Sequence, residues 1–320
     1  MTDLSQYAIS EAQIVHAAEL IRAGRLVAFP TETVYGLGAN ALDAAAVERI
    51  YEAKGRPHSS PIICHVSDLA ILHDVVAEWP AAAQQLAQKF WPGPLTLVLP
   101  KTSAVPDLVT AGLPTVGVRM PAHPIALALL KAASLPIAAP SANRFTQVSP
   151  TTADHVRRGL GDHVDYILDG GPCLVGIEST VLSLAQPIPT LLRPGGISRQ
   201  QIEEIIGPIA GAPDQKCDEA HASPGLHPRH YSPRTCLYLI ENGMVPAQGS
   251  GAYLQLSHPP AAAVTEVVPM PNDPAGYAAR LYDALHVLDA KGFDWIAVDA
   301  PPNLPEWEAV LDRLKRAAFL

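Results

Sequence analysis

Apolar residues recur at helical spacing through Ile14, Ala17, Ala18 and Ile21, behind Ser10 and Gln13 and ahead of Gly24. Ser10 and Gln13 stand three apart as the two halves of a capping box, so the pattern predicts a helix that opens at Ser10 and is stopped by the glycine. Short apolar runs predict strands at 26–29, 61–66, 95–99, 116–119, 136–139, 166–168, 180–184 and 190–193. Amphipathic spacing predicts helices at 43–54, 81–90, 123–133, 152–160 and 198–206. Residues 207–233 break the pattern, with five prolines and three glycines in 27 residues and no periodicity. A structureless run of that length in a compact unit is a linker, a functional lid or both. Strands at 236–240, 252–256, 264–268 and 295–299 and helices at 275–288 and 306–318 follow. The alternation predicts an α/β layer structure on a parallel sheet, in two units, 1–207 and 234–320, joined by 208–233.

The 320 residues are 48% hydrophobic and 17% charged, so the chain can bury a core. Proline is 32 of 320 and spread without a collagen period, which reads as strand ends and turns. The formal charge is −9, with −4 in 1–207 and −5 in 208–320. Neither half is a basic body, which disfavours a dedicated nucleic-acid binder, although net charge does not describe single clefts. Cys64, Cys173, Cys217 and Cys236 form no Cys-x-x-Cys pair and read as reduced thiols of a cytoplasmic protein. The first ten residues lack the basic start and apolar run of a signal peptide, and no apolar stretch approaches the ~20 residues of a membrane span.

The phosphate-loop, Rossmann glycine, H-E-x-x-H and G-x-S-x-G motifs are absent. What stands out lies at strand ends. Residues 30–38, PTETVYGLG, read either as a capped turn or as glycines and threonines that admit an anion. Lys54 and Arg56 either answer a helix dipole or clamp phosphates. His65 lies in an apolar run, Arg119 closes a strand, and Ser141 and Asn143 follow the run 137–139. Each has an ordinary structural reading beside a ligand-facing one. Glu178-Ser179-Thr180 and Arg193-Pro194-Gly195-Gly196 repeat the theme. Cys217, His221, His227 and His230 match no common zinc spacing. Jointly these residues suit an anionic pocket working by positioning and charge stabilisation.

Taken together, PTETVYGLGAN, KGRP, PIICHV, GLPTVGVRMP, SAN, GIESTV and RPGGIS resemble the YrdC-like family in order and spacing across 10–207. The trailing SPGLHPRHYSP and the smaller α/β unit are similar to its two-domain members, the threonylcarbamoyl-AMP synthases. The resemblance implies a twisted open mixed sheet with helices, then a smaller Rossmann-like α/β domain. It also implies a nucleotidyltransferase, L-threonylcarbamoyladenylate synthase. That enzyme makes threonylcarbamoyl-AMP and pyrophosphate from L-threonine, bicarbonate or CO2, and ATP, for the threonylcarbamoyl-adenosine modification of tRNA.

Carried over by motif, Thr33, His65, Arg119, the backbone of Ala139 and Ser179 hold threonine, with Arg119 on its carboxylate. Arg56, Ser60, Thr115, Ser141, Ser149, Arg193 and Tyr231 hold ATP. Lys54, Arg56, Ser141 and Asn143 complete the Lys-x-Arg and Ser-x-Asn signatures expected to be catalytic at the phosphates. Tyr231 makes 208–233 a lid over the site. Mg2+ is expected with ATP, without a dedicated protein site. Expected partners are the downstream tRNA threonylcarbamoyl-transferase machinery, with a weak RNA contact left open. Two rivals are a relative that forms a carbamoyl adenylate from carbamoyl phosphate and a double-stranded-RNA-binding module.

Overall fold

The computed structural model describes residues 7, 9–211 and 230–318. Ten strands form one sheet: β1 Val27–Phe29, β2 Gly36–Asn40, β3 Ile63–His65, β4 Leu95–Pro100, β5 Thr115–Arg119, β6 Ile137–Ala138, β7 Tyr166–Ile167, β8 Thr180–Ser183, β9 Thr190–Arg193 and β10 Ala210–Gly211. Their spatial order is β10-β9-β8-β4-β5-β3-β6-β2-β1-β7. Among the described residues these α-helices accompany them: α1 Glu11–Arg22, α2 Ala44–Lys54, α3 Leu69–Val75, α4 Ala81–Phe90, α5 Asp107–Thr110, α6 Pro124–Ala133, α7 Ala153–Leu160 and α8 Arg199–Ile206. The capping box at Ser10 and Gln13 forms as expected, and Asp43 caps α2 by accepting from the amides of Ala45 and Ala46.

The large sheet is mixed, as the resemblance implies, and not parallel as the alternation alone suggests. β3 runs parallel to β5 and β4 to β8, whereas β1–β2, β2–β6, β3–β6, β4–β5 and β8–β9 are antiparallel. The strand β2 has no counterpart in the sequence reading. Its sequence GLGAN lacks β-branched residues and alternation, yet it is buried between β1 and β6. A Cβ at Gly38 would lie 2.7 Å from the Phe29 ring and 2.8 Å from Ile137, so only glycine lets these strands close. Helices α3 and α5, also missed, are short, and Asp68 caps α3 through the amides of Ala70 and Ile71.

The second unit does carry a fully parallel sheet. Its strands β11 Cys236–Ile240, β12 Gly251–Gln255, β13 Glu266–Pro269 and β14 Trp295–Asp299 stand in the order β11-β14-β12-β13, with α9 Pro274–Asp289 and α10 Glu308–Ala317. Leu281, Leu285 and Leu314 are fully buried in a cluster that also holds Val34, Val148 and Ile177 of the first unit and Tyr231 of the connecting segment. Burial of such side chains is worth about 1.5–3 kcal/mol each, so the two units share a core.

Candidate functional site

The parallel register of β3 and β5 sets His65 beside Arg119, both at strand C-termini, and Ala139 follows β6 on the far side of β3. The turn after β1 brings Thr31 and Thr33 over them, and the ends of β8 and β9 add Ser179 and Arg193. One cavity is lined by Thr33, Arg56, His65, Arg119, Ala139, Ser141, Ser179, Arg193 and Tyr231, with Thr31, Glu178 and His230 beside them. Nine of the fourteen residues carried over by motif therefore converge.

Arg119 is buried and held on three sides. Its Nη2 donates to Glu32 Oε1 at 2.6 Å, its Nη1 to Thr33 Oγ1 at 3.0 Å and its Nε to the Gly93 carbonyl at 3.1 Å. Guanidinium has five N–H donors, so two are left for a ligand. The Ala139 amide is spent on Ile63 at 2.9 Å, which leaves its carbonyl to accept from a ligand amine. Burial, and then the neighbouring Arg119, push the His65 imidazole down to about 3, so it is neutral at physiological pH. His65 Nδ1 and the Tyr231 hydroxyl are buried on the cavity wall with no hydrogen-bond partner among the described residues. Such polar atoms are what a bound substrate satisfies.

Across the cavity, Arg193 donates through Nε and Nη2 to the Ser179 carbonyl, and through Nη2 to Ser179 Oγ at 3.2 Å. Arg56 donates to the carbonyls of Ser60 and Pro61 and lies over the Phe145 ring. Burial lowers its guanidinium to about 10, still charged at neutral pH. A Cβ at Gly195 would meet the Thr180 amide at 2.3 Å, so the turn after Arg193 closes on β8 only as glycine.

Five carried-over residues stand outside the cavity wall. Lys54 is buried, and its ammonium donates to the carbonyls of Ser141, at 2.6 Å, and Asn143, so it straps the loop that presents Ser141. Asn143 holds the same loop through Nδ2, to the carbonyls of Arg144 and Gln147. Ser60 lends its carbonyl to Arg56 and Tyr51. Ser149 Oγ donates to Glu178 Oε1 at 2.6 Å. Thr115 lines a neighbouring cleft with Ile63, Thr96 and Val181.

The sequence reading named Glu32 and Glu178 only as members of motifs and gave neither a role, although both carboxylates hold arginines of this wall. Both lie inside the motifs PTET and GIEST, and their place in those motifs was the only available signal, because their arginine partners stand 87 and 135 positions away. Of the expected lid, 212–229 lies outside the described residues, and so do Cys217, His221 and His227. His230 and Tyr231 line the cavity. The Ser232 amide donates to Thr146 at 2.9 Å, and its hydroxyl donates to the Ala317 carbonyl. Among the described residues no group of three or more His, Cys, Asp or Glu could hold a metal ion, and no helix is long and apolar enough to cross a membrane.

A family model named for the Sua5, YciO and YrdC proteins and described as telomere recombination matches residues 19–195. A second, described as threonylcarbamoyl-AMP synthase, C-terminal domain, matches 197–319. The threonylcarbamoyl-AMP synthase of Bacillus subtilis is 44% identical, over 97% of this chain and 94% of the relative, and that of Pyrococcus abyssi is 42% identical over 97% and 95%. The crystal structure of P. abyssi Sua5 complexed with L-threonine superposes with a TM-score of 0.89 at 41% identity, covering 97% of this chain and 95% of the other. With both models matched in order and relatives aligned over nearly its whole length, the chain belongs to the threonylcarbamoyl-AMP synthase family.

Proposed function

We propose that the cavity joins L-threonine, bicarbonate or CO2, and ATP into threonylcarbamoyl-AMP and pyrophosphate, with the threonine half at Arg119 and the ATP half at Arg193, Arg56 and Tyr231. The observation that carries this assignment is Arg119, buried on the cavity wall, fixed by Glu32, Thr33 and Gly93, and with two of its five N–H donors not used by these bonds. A carboxylate takes two parallel N–H donors of an arginine. The threonine amine then falls to the Ala139 carbonyl, a direction consistent with the spent Ala139 amide.

The chemistry needs no enzyme nucleophile. The amine attacks CO2 and loses a proton, giving a carbamate. A carbamate oxygen attacks the α-phosphorus, and the bond to the β-phosphate bridging oxygen breaks with its electrons on pyrophosphate. Arg56 and Arg193 stabilise the growing charge, and Ser141 orients a phosphate oxygen. Lys54 and Asn143 serve by holding the Ser141 loop. Mg2+ arriving with ATP would be held by the phosphates and would neutralise their charge; the two cavity carboxylates, Glu32 and Glu178, are paired with Arg119 and Arg313. The product goes to tRNA threonylcarbamoyl transfer, and the free thiols of Cys64, Cys173 and Cys236 suit a cytoplasmic setting.

Pyrophosphate release in the presence of ATP tests the reading. It should require threonine and bicarbonate together. Release driven by carbamoyl phosphate, or salt-sensitive RNA binding without turnover, would support the rivals instead.

A further inference from the structure

We propose that Arg313, on α10 of the second unit, is a positioning residue for the ATP half of the site, an inference that rests on the function proposed above. Arg313 is fully buried, although it is drawn from the far end of the chain. Its Nε donates to Glu178 Oε2 at 2.8 Å, its Nη2 to the Glu178 carbonyl at 3.3 Å and its Nη1 to Asp312 at 2.7 Å. Its guanidinium carbon lies 5.2 Å from the centre of the Tyr231 ring. Glu178 in turn accepts from Ser149 Oγ and from the Tyr282 hydroxyl at 3.0 Å. From Arg313 the contacts reach Tyr231 directly and, through the Glu178 carboxylate, Ser149, while Arg193 acts on the same carboxylate by charge; all three are ATP-side residues.

The charge balance explains why such a residue is needed. Glu178 lines the cavity that receives the phosphates. Burial alone would raise its carboxyl, but Arg313 and then Arg193 outweigh burial and hold it ionised. Without Arg313 a bare carboxylate would face the phosphates and draw on Arg193, while Tyr231 would lose the cation over its ring. The threonine-side pair, Arg119 with Glu32, lies wholly in the first unit and is untouched. The second unit is thus part of the active site.

The test is steady-state pyrophosphate release and threonine calorimetry on the full chain, for the parent, Arg313→Met, Glu178→Gln and the double variant. Arg313→Met is expected to raise the KM for ATP about tenfold or more, with threonine affinity within about threefold. The double variant, with no stranded carboxylate, is expected to recover most of the loss. A double variant no better than Arg313→Met, or an equal loss for both substrates, overturns the inference. If Arg313→Met fails to fold, Arg313→Lys carries the test, because it keeps the charge. Lysine cannot reproduce the two-nitrogen contact with Glu178 or the planar group over Tyr231, so its KM for ATP should rise at least about threefold with threonine affinity unchanged, and an unmoved KM overturns the inference. Failure of the parent itself to release pyrophosphate would sink the proposed function, whereas an active parent with an unmoved KM in Arg313→Met would sink only this inference.

Discussion

Arg119 Nη2 and Glu32 Oε1 lie 2.6 Å apart with both side chains buried, and the Ala122 amide holds the other carboxylate oxygen at 3.0 Å. The pair sets the plane in which Arg119 can offer its remaining donors. Removing Arg119 strands Glu32, and breaking a buried pair in this way costs about 3–5 kcal/mol. Arg119→Ala is therefore expected to lower stability and also to raise the threonine requirement by about 1.5–3 kcal/mol. Glu32→Gln keeps a neutral acceptor and should weaken threonine binding with a smaller stability loss. Calorimetry of both substrates checks this, and equal losses for threonine and ATP would count against the assignment.

Lys54 and Arg56 belong to one motif but are expected to fail differently. Lys54→Ala leaves the carbonyls of Ser141 and Asn143 buried without their donor, at about 1–3 kcal/mol each. It should lose stability and turnover together. Arg56→Ala should cost turnover, by about 2.7–4 kcal/mol of barrier if it meets the leaving pyrophosphate. Thermal unfolding beside saturating turnover separates the two, and a Lys54→Ala protein with parental stability would contradict the strap.

His65 gives the pH dependence a sign. Its folded value is about 3 against about 6.5 in an unfolded chain. Below pH 6.5 the unfolded chain takes up a proton that the native state refuses. Stability should then fall as the pH drops from 6.5 toward 3, by about 1.4 kcal/mol per pH unit for each such histidine. His123, held to about 4 by burial, adds in the same direction. Urea midpoints between pH 6.5 and 5 measure the slope, which His65→Gln should flatten. A parent whose stability is constant or rises over that interval would contradict the buried neutral imidazole.

Tyr231 combines two roles that substitution can split. Its ring is buried under Arg313, and its hydroxyl has no hydrogen-bond partner among the described residues. Tyr231→Phe should keep the melting temperature and raise the KM for ATP, whereas Tyr231→Ala should also cost about 3–5 kcal/mol of stability. A phenylalanine variant with the parental KM would show that the hydroxyl does not meet the nucleotide.

Local signals made most of this architecture legible. Ser10 with Gln13 and Asp43 with its following amides are caps whose partners lie within three positions, and the helices they open fall where periodicity puts them. β2 was illegible because its residues are chosen for lack of bulk: Gly38 exists so that Phe29 and Ile137 can meet. The cavity residues of the motifs were legible because each lies in or next to a short run of Gly, Pro and polar residues beside an apolar element: His65, Arg119, Ser179 and Arg193 at strand ends, Arg56 just past α2. Glu178 with Arg313 was not, since 135 positions separate the partners and no periodicity reports such a pairing.

The most direct measurement is mass spectrometry of the products after incubating the full chain with ATP, L-threonine and bicarbonate. The account predicts threonylcarbamoyl-AMP and pyrophosphate in equal amounts, both lost when threonine or bicarbonate is withheld. Pyrophosphate without the threonine-bearing adenylate, or an adenylate that forms without threonine, would contradict it.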